Sequence, residues 1–204
     1  MDRRKILVVG GGFGGIKSCL MLAKNPNFEV TLITDNPNFR YYPTLYRTAT
    51  GGVDQLSSIP LEQIFRKLPI SIRIGSVSTV DRTSHIVKTA DQSFSYDILI
   101  LALGVKTNYF HIDGLEKYSY GIKTIEDANR LKKHLHNQIT DNLEPDLNYV
   151  VIGGGPTGVE LAAILPSYIT KILKNHQLSE RPIHVDLIEA TDRMLPRSPK
   201  DLSK

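Results

Sequence analysis

KILVVGGGFGG, at residues 5–15, joins an apolar run to a cluster of glycines in the order that a strand, a tight turn and a helix require. The glycines follow the pattern G-x-G-x-x-G at Gly10, Gly12 and Gly15. In this pattern the first glycine allows the turn, the second lets backbone approach a pyrophosphate, and the third lets helix and strand pack closely. Backbone N–H groups at the start of the following helix then face the anion. The stretch therefore predicts a dinucleotide-binding βαβ unit.

The same pattern returns in NYVVIGGGPTG, at residues 148–158, with its glycines at Gly153, Gly155 and Gly158. One such motif is weak support for a nucleotide site, whereas two in strand-to-helix context are strong. We therefore predict an α/β fold of two nested Rossmann-like dinucleotide-binding domains, with a parallel sheet and an antiparallel meander. The second domain is expected to be incomplete, because few residues follow its second strand.

Composition narrows the class of protein. The chain has 204 residues, 41% of them apolar, which is enough for a packed core. Its formal charge of +4 comes from scattered Lys and Arg, so we expect a solvated surface and no nucleic-acid partner. The apolar run that follows the first five residues is too short for a signal peptide, and none approaches membrane-spanning length, which predicts a cytosolic or peripheral protein.

Reactive and metal-binding side chains give little signal. Cys19 is the single cysteine, which excludes a C-x-x-C dithiol, a disulfide framework and a thiolate zinc site, and its helix position predicts a small buried residue. The histidines lack metal-ligand spacing, and His134 and His136 are expected on different sides of a helix. Ile16 stands where a phosphate loop needs lysine, which argues against a nucleotide hydrolase.

Hydrophobic spacing predicts the rest of the first βαβ unit. A helix is expected over about Gly14 to Lys24, and a buried parallel strand over Phe28 to Ile33. In such units an acid at the end of the second strand binds the ribose hydroxyls. Strict register puts Thr34 at that position and Asp35 one residue late. We favour Asp35 together with the backbone of Thr34.

The middle of the chain predicts several smaller elements. The aromatic residues 39–52, taken alone, indicate a loop packed over the sheet edge, and a short helix is expected within Leu56 to Leu68. Short apolar runs predict a small antiparallel meander over Ile70–Ile74, Val77–Val80, Ile86–Thr89 and Phe94. The run from Tyr96 to Gly104 predicts a central strand covered on both faces, whose end, at Ala102 and Gly104, lies near the first nucleotide.

In the second half of the chain, the predicted order is helix, strand, helix and strand. Thr124 and Asp127 form a capping-box pattern for a helix, and Asp141 to Leu147 is the expected seam. Pro156 suits the first turn of the next helix, which we expect to kink at Pro166. The final strand ends at Glu189, the predicted ribose acid, although its distance from the glycines exceeds the usual spacing of roughly 20 residues.

Five stretches together carry a family resemblance: the two glycine motifs, the aromatic PTLYRTATG at residues 43–51, the strand ending at residues 102–104, and TGVELA at residues 157–162. On these the chain resembles the type II NADH:quinone oxidoreductases, the single-chain, non-pumping NADH dehydrogenases. The resemblance covers essentially all 204 residues. It implies FAD in the first domain, NADH in the second, hydride transfer from nicotinamide to flavin, and a quinone as the electron acceptor.

The resemblance also implies roles for individual residues. Glu160 matches the family's functional acid near nicotinamide and quinone, although the predicted position of Glu160 in the first turn of a helix also suits a purely structural charge. The FAD residues implied are Gly10, Gly12, Phe13, Gly14 and Gly15 around the pyrophosphate, Thr34 and Asp35 at the ribose, Val77 at the adenine by its backbone, and Ala102 and Gly104. The NADH residues implied are Gly153, Gly154, Gly155, Pro156, Thr157 and Gly158 around the pyrophosphate, and Glu189 at the ribose.

The resemblance divides the chain into an FAD-binding domain at 1–110, a connecting segment with a helix at 111–145, and the beginning of an NADH-binding domain at 146–204. Family members continue for roughly twice this length, so we expect an N-terminal part of a larger enzyme, cytoplasmic and peripheral to the inner face of the cell membrane. Membrane contact is expected only through a missing C-terminal region, and a homo-oligomer is compatible with the pattern. Two alternatives stay open: electron transfer to a protein carrier, and a catalytically idle dinucleotide-binding module.

Overall fold

A computed structural model describes residues 3–142 and 144–203. By contacts the chain divides into two compact units, Met1–Tyr41 with Ser58–Thr107 and Tyr42–Ser57 with Asn108–Lys204, called here the first and second units. The functional domain boundaries predicted above remain predictions. Four residues of the predicted domains lie outside the described residues: Met1, Asp2 and Lys204 at the chain termini, and Leu143 in the predicted seam.

The elements follow one another in a βαβ order at each glycine motif. The strands are β1 (Arg4–Val9), β2 (Phe28–Thr34), β3 (Asn38–Arg40), β4 (Ser58–Pro60), β5 (Ile70–Ile74), β6 (Val77–Asp81), β7 (Ile86–Thr89), β8 (Ser93–Ser95), β9 (Ile98–Leu101), β10 (Asn148–Ile152) and β11 (His184–Ile188). The helices are α1 (Phe13–Leu22), α2 (Leu45–Ala49), α3 (Leu61–Phe65), α4 (Leu115–Tyr118), α5 (Ile125–Thr140) and α6 (Pro156–Asn175). Short 3-10 turns occur at Tyr42–Thr44, Asp54–Leu56 and Lys200–Ser203.

The first unit is built on a parallel sheet in the order β5-β2-β1-β9. One face packs against α1 and α3, where Ile6, Val8 and Leu32 are buried with Cys19. The other face packs against the antiparallel sheet β6-β7-β8 through a cluster that includes Leu7 and Ile33. The predicted α/β fold, with a parallel sheet and an antiparallel meander, is confirmed.

Two strand predictions in this unit are wrong. Ile70–Ile74 is not part of the meander but forms β5, the parallel edge strand beside β2. The strand within Tyr96–Gly104 is not central, because among the described residues β9 pairs only with β1. Its outer edge therefore leaves Leu101 54% exposed. The helix expected within Leu56–Leu68 is limited to α3, since Ser58–Pro60 pairs with β3 as a strand.

The second unit has the parallel pair β10-β11, with α6 against one face and α5 packed on α6. The capping box is confirmed: the Thr124 side chain accepts from the Asp127 N–H, and the Asp127 carboxylate accepts from the Thr124 N–H. Pro156 is at the first helical position as predicted, and α6 continues as a helix through Pro166. On the opposite face of the sheet Val150, Ile152 and Ile188 are more than half exposed.

The loop predicted over residues 39–52 is only partly a loop: Phe39 and Arg40 lie in β3, and Leu45–Ala49 form α2 in the second unit, which contains residues 42–57. Helix α2 packs against α5 and α6, with Leu45 and Ala49 fully buried beside Ala128. A hydroxyl cluster closes the segment, because Ser57 Oγ lies 2.9 Å from Thr44 Oγ1 and 3.0 Å from Thr48 Oγ1. These contacts join residues that are far apart in sequence, and local patterns carry no sign of them.

Candidate dinucleotide-binding sites

The first glycine loop turns tightly between β1 and α1. Gly10 has φ 110° and its N–H donates to the Ile33 carbonyl at 2.8 Å. A Cβ at Gly10 would overlap the carbonyl oxygen of Ala102, and one at Gly15 would overlap the carbonyl oxygen of Gly10. The first and third glycines are therefore required by the packing of the strand, turn and helix themselves.

Gly12, the middle glycine, has a different surrounding. It is the N-cap of α1, with φ −85° and no side-chain cap, and no heavy atom lies within 4 Å of a Cβ built on it. Its backbone conformation suits any residue, so the fold itself does not require glycine here. The open space lies at the start of a helix, where the backbone favours an anion.

The second loop repeats this geometry. Gly153 also has φ 110° and donates to the Ile188 carbonyl at 2.8 Å, and a Cβ at Gly158 would overlap the carbonyl oxygen of Gly153. Gly155 is the N-cap of α6 without a side-chain cap, and a Cβ there would meet no atom within 4 Å. Pro156 then opens the helix with the φ that its first turn needs. The two loops share their backbone turn, their open middle glycine and the close approach at the third glycine, whereas a Cβ at Gly153 would meet no atom within 4 Å.

Strand register decides which residues face the two loops from the second strands. Val9 is paired with Ile33 and Ile152 with Ile188, so Thr34 and Glu189 occupy equivalent positions. A Cβ at Gly11 would lie 2.6 Å from Thr34 Oγ1, whereas one at Gly154 would lie 3.0 Å from the Glu189 carboxylate.

Asp35 lies one residue beyond the position equivalent to Glu189. Its Oδ2 is 3.5 Å from Nη2 of Arg40, in a pair whose Asp35 side chain is exposed and whose Arg40 side chain is partly buried. Arg40 Nε is buried and has no hydrogen-bond partner among the described residues. Binding of the ribose by Asp35 together with the backbone of Thr34 remains a prediction.

Glu189 is bound to its own glycine loop. Its Oε1 accepts from the Thr191 N–H at 2.9 Å, and its Oε2 accepts from the Gly154 N–H at 2.7 Å. These hydrogen bonds to the charged form hold the pKa of Glu189 below its ordinary value. The carboxylate is therefore ionised at neutral pH and fixed beside the second loop.

The other predicted FAD residues lie around the first loop to different degrees. Ala102 donates its N–H to the Val9 carbonyl at 2.8 Å, and its Cβ would lie 3.7 Å from a Cβ at Gly14. Gly104 has φ 75° and open space around it. Val77 begins β6, just after Gly75, whose N–H donates to the Thr34 carbonyl at 2.8 Å.

Glu160 does not lie where the sequence predicted. It is the fifth residue of α6 and is exposed, and the first turn of this helix contains no acid. The dipole argument for a purely structural charge is therefore weak here, because the effect fades beyond the first turn.

Arg47, at the end of α2, is the cation near Glu160 that sequence reasoning missed. Its Nε donates to the Tyr46 hydroxyl at 3.0 Å, and its guanidinium lies 5.7 Å from the centre of that ring. The Tyr46 hydrogen bond, with a smaller electrostatic contribution from Glu160, raises the pKa of Arg47. The aromatic stretch was a signal for this contact, but nothing local connected it to α6.

The cysteine and the α5 histidines lie as the sequence predicts. Cys19 is fully buried as predicted, and burial raises the pKa of its thiol to about 12. His134 stacks on Tyr120, whereas His136 contacts His176, so the two histidines do lie on different sides of α5. Within residues 3–142 and 144–203, no group of three or more His, Cys, Asp and Glu side chains could hold a metal ion.

Across the described part of the chain, no helix is both long and apolar enough to cross a membrane.

Comparison with known proteins agrees with the geometry. Residues 4–204 match the family model for pyridine nucleotide-disulphide oxidoreductases. The chain is 28% identical over 206 residues to a type II NADH:quinone oxidoreductase of Staphylococcus haemolyticus, covering 96% of this chain and 51% of that protein. This match confirms the resemblance inferred from the sequence. The chain spans about half the length of the curated relatives it matches.

Solved structures give the same result. NDH2 from Plasmodium falciparum, solved in complex with NADH, superposes with a TM-score of 0.84 at 26% identity, over 99% of this chain and 45% of that one. The sulfide:quinone oxidoreductase of Aquifex aeolicus has a TM-score of 0.70 at 28% identity, over 82% of this chain and 40% of that one. From the match over residues 4–204 we conclude that the chain belongs to the pyridine nucleotide-disulphide oxidoreductase family.

Proposed function

We propose that this protein is a flavoprotein oxidoreductase that binds FAD at the first glycine loop and NADH at the second, and passes electrons on to a quinone. The observation that carries the proposal is one loop geometry repeated at both motifs, with open space over each middle glycine. Hydride transfer between two dinucleotides requires a protein with two such sites. The family match and the relatives named as NADH:quinone oxidoreductases support the same pairing.

The first loop fits a pyrophosphate by its open N-cap and its helix start. An anion there gains about 0.3–1 kcal/mol from the helix dipole, in addition to backbone hydrogen bonds. The buried Arg40 Nε, close to Asp35, supplies a donor for an oxygen or ring nitrogen of the adenosine half. The residues proposed to hold FAD are Gly10, Gly12, Phe13, Gly14, Gly15, Thr34, Asp35, Val77, Ala102 and Gly104.

The second loop fits a nucleotide with an unmodified ribose. Each Glu189 oxygen accepts one backbone N–H, which leaves lone pairs for ribose hydroxyls. The fixed negative charge disfavours a 2′-phosphate, so we propose NADH rather than NADPH. The residues proposed to hold NADH are Gly153, Gly154, Gly155, Pro156, Thr157, Gly158 and Glu189.

When both are bound, NADH supplies the hydride and the flavin accepts it. The chain's own residues then have to bind and orient the two dinucleotides and exclude competing reactions. A protein nucleophile is not required for this chemistry, in agreement with the single, buried Cys19.

Glu160 is the residue to which we assign proton handling near the nicotinamide and the quinone. Glu160 is exposed on α6 beyond the first turn, and Arg47 of α2 is a cation that interacts with it electrostatically. An exposed carboxylate can exchange protons with a reduced acceptor, provided that it lies within hydrogen-bond reach. Quinone as the acceptor is supported by the names of the Staphylococcus haemolyticus and Aquifex aeolicus relatives. Membrane contact and a homo-oligomer are further parts of this proposal.

The proposal is tested with the protein expressed at its full natural length. The bound flavin is identified after extraction, and NADH oxidation is measured with a soluble quinone and, separately, with a ferredoxin-type protein carrier. We expect a yellow, FAD-containing protein whose NADH oxidation depends on quinone. If NADH oxidation depends on the protein carrier and not on the quinone, the electron acceptor is a protein carrier. A protein that binds FAD and NADH but oxidises NADH with neither acceptor would be the idle dinucleotide-binding module, and one that binds neither would overturn the proposal.

A further inference from the structure

Gly154, in the second glycine loop, is held from both sides. Its N–H donates to Glu189, and its carbonyl accepts from the Leu195 N–H at 2.7 Å. Met194 lies against the same residue, since a Cβ at Gly154 would be 2.5 Å from the Met194 sulfur. The chain after β11 therefore returns to the loop and packs on it.

Arg193 holds this returning segment together. Its Nη2 donates to the carbonyl of Pro196 and, at 2.8 Å, to that of Ser198. Its own carbonyl accepts from the Thr191 hydroxyl at 3.0 Å. Hydrogen bonds from a charged guanidinium are stronger than those between neutral groups, so Arg193 contributes charge-assisted hydrogen bonds to the fold of residues 191–198.

The backbone of this segment needs such support. Leu195 has φ 50°, a left-handed conformation that costs a residue with a side chain free energy. Backbone of this kind persists when its surroundings determine it. Here Ser198 N–H donates to the Leu195 carbonyl at 2.9 Å, while Leu195 N–H reaches Gly154. Without Arg193, the turn at Leu195 has less to hold it, and the contact with Gly154 weakens.

The fold of residues 191–198 affects both parts of the candidate nucleotide site, the second glycine loop and the Glu189 carboxylate. Gly154 precedes the N-cap Gly155, so its peptide orients the backbone that would face a pyrophosphate. Thr191 supplies the N–H that fixes Glu189 Oε1. One folded segment thus sets both the glycine loop and the carboxylate. At the first loop the equivalent neighbour of Gly11 is the hydroxyl of Thr34.

We propose that Arg193 is a positioning residue of the second dinucleotide site: it keeps residues 191–198 folded against Gly154 and so prepares the glycine loop and Glu189 for the adenosine half of NADH. The inference rests on the proposed function, because it assumes that NADH binds at the second loop. Arg193 acts through Gly154 and Thr191 and needs no contact with the nucleotide.

The test compares Arg193→Ala and Arg193→Lys with Arg197→Ala, an exposed arginine of the same segment, in the FAD-loaded protein at its full natural length. Binding of NAD⁺ and of ADP-ribose is measured by calorimetry, and kcat and KM for NADH by steady-state kinetics. We expect Arg193→Ala to weaken both ligands about tenfold, the equivalent of one lost charged hydrogen bond. KM should rise by a similar factor, with kcat and FAD content unchanged.

Arg193→Lys keeps the charge but loses the planar guanidinium, so we expect an intermediate loss of affinity. Arg197→Ala should stay within about twofold of the wild type, as surface substitutions usually do. Unchanged NAD⁺ affinity in both Arg193 variants, an equal loss in Arg197→Ala, or a fall in kcat or FAD content at unchanged KM would overturn the inference. A wild-type protein that keeps FAD but binds neither NAD⁺ nor ADP-ribose would overturn the assignment of NADH itself, which separates the two failures.

Discussion

Gly12 and Gly15 belong to one motif, yet the fold requires glycine only at Gly15. A side chain at Gly15 would overlap backbone of Gly10, whereas one at Gly12 would enter open space. We expect Gly12→Val to fold normally but to lose FAD, because its side chain fills the space where a pyrophosphate would approach. Gly15→Ala should instead lower the free energy of unfolding by about 1–3 kcal/mol, the usual cost of overpacking.

Flavin content after purification and urea unfolding of the apoprotein separate these effects. Gly155→Val, the equivalent change in the second loop, is the matched control and should leave FAD bound. Full flavin occupancy in Gly12→Val would show that the first loop does not hold the pyrophosphate.

Glu189 is predicted to select NADH over NADPH. Its carboxylate can accept hydrogen bonds from a ribose 2′-hydroxyl but repels a 2′-phosphate. We expect Glu189→Gln to lower kcat/KM for NADH and to reduce the preference for NADH by about tenfold. Asp186→Asn, an exposed acid of the same strand, is the control. Equal kcat/KM values for the two cofactors in the wild type would remove this role from Glu189.

The lowered pKa of Glu189 predicts that the stability of the folded protein depends on pH. Hydrogen bonds from Thr191 and Gly154 lower the pKa of Glu189 in the folded protein. Its contribution to stability is therefore complete above the ordinary glutamate pKa and is lost as pH falls through the lowered value. Glu189→Gln should remove this part of the acid sensitivity, which urea unfolding between neutral and acidic pH measures.

Glu160 is predicted to affect turnover rather than cofactor binding. General acid–base groups contribute at least about a hundredfold when they act in the slow step, so we expect Glu160→Gln to lower kcat by tenfold or more with FAD retained. Glu126→Gln, an exposed acid in the first turn of α5, should have little effect. Because Arg47 is expected to act through Glu160, Arg47→Gln should lower kcat in the wild-type background but not in the Glu160→Gln background. An unchanged kcat and an unchanged pH–rate profile in Glu160→Gln would contradict the assignment.

Among the elements, α5 has the clearest sequence signal and a direct test. Thr124 and Asp127 exchange hydrogen bonds at its start, as the capping-box pattern predicts. Thr124→Ala should lower the free energy of unfolding by about 1 kcal/mol, because the backbone N–H of Asp127 loses its acceptor. Thr140→Ala, at the other end of the same helix, removes a hydroxyl that donates to the His136 carbonyl and to the Asp141 carboxylate, and should cost less because no backbone N–H loses an acceptor. Urea unfolding of both variants makes the comparison.

The predicted elements fail where pairing partners, rather than periodicity, decide the outcome. β5 is an edge strand with partly exposed residues, so its pattern resembles that of an antiparallel meander. β9 carries the apolar run typical of a covered strand, yet a run of this kind does not specify how many neighbours the strand has. Residues 42–57 depend on distant contacts such as Asn129 Nδ2 with Asp54 Oδ2 at 2.9 Å, which a local pattern cannot contain.

The candidate site was more predictable than the topology around it. Both glycine loops and Glu189 follow from spacing, because backbone geometry restricts which residues can stand there. Arg47 and Arg193 were missed, since their partners are a ring hydroxyl and backbone carbonyls chosen by tertiary packing. Functional positions fixed by local backbone are thus predictable from one sequence, whereas positions fixed by a neighbouring segment are not.

At the scale of the whole molecule, the two parallel sheets, β5-β2-β1-β9 in the first unit and β10-β11 in the second, differ in how their faces are covered. Leu7, Val9 and Ile33 are buried in the first unit, but their equivalents in the second unit, Val150, Ile152 and Ile188, are 58%, 57% and 53% exposed. Contiguous exposed apolar residues on a sheet favour association.

We therefore expect the isolated 204-residue chain to associate reversibly with rising concentration in sedimentation velocity. Ile152→Lys and Ile188→Lys should each shift it toward monomer, because a charge on this face opposes burial. Val53→Lys, at a residue of the second unit that is 59% exposed but outside the sheet, is the matched control and should leave the distribution unchanged. A monomeric wild-type chain across the concentration range, or an equal effect of all three lysines, would mean that this face does not drive association.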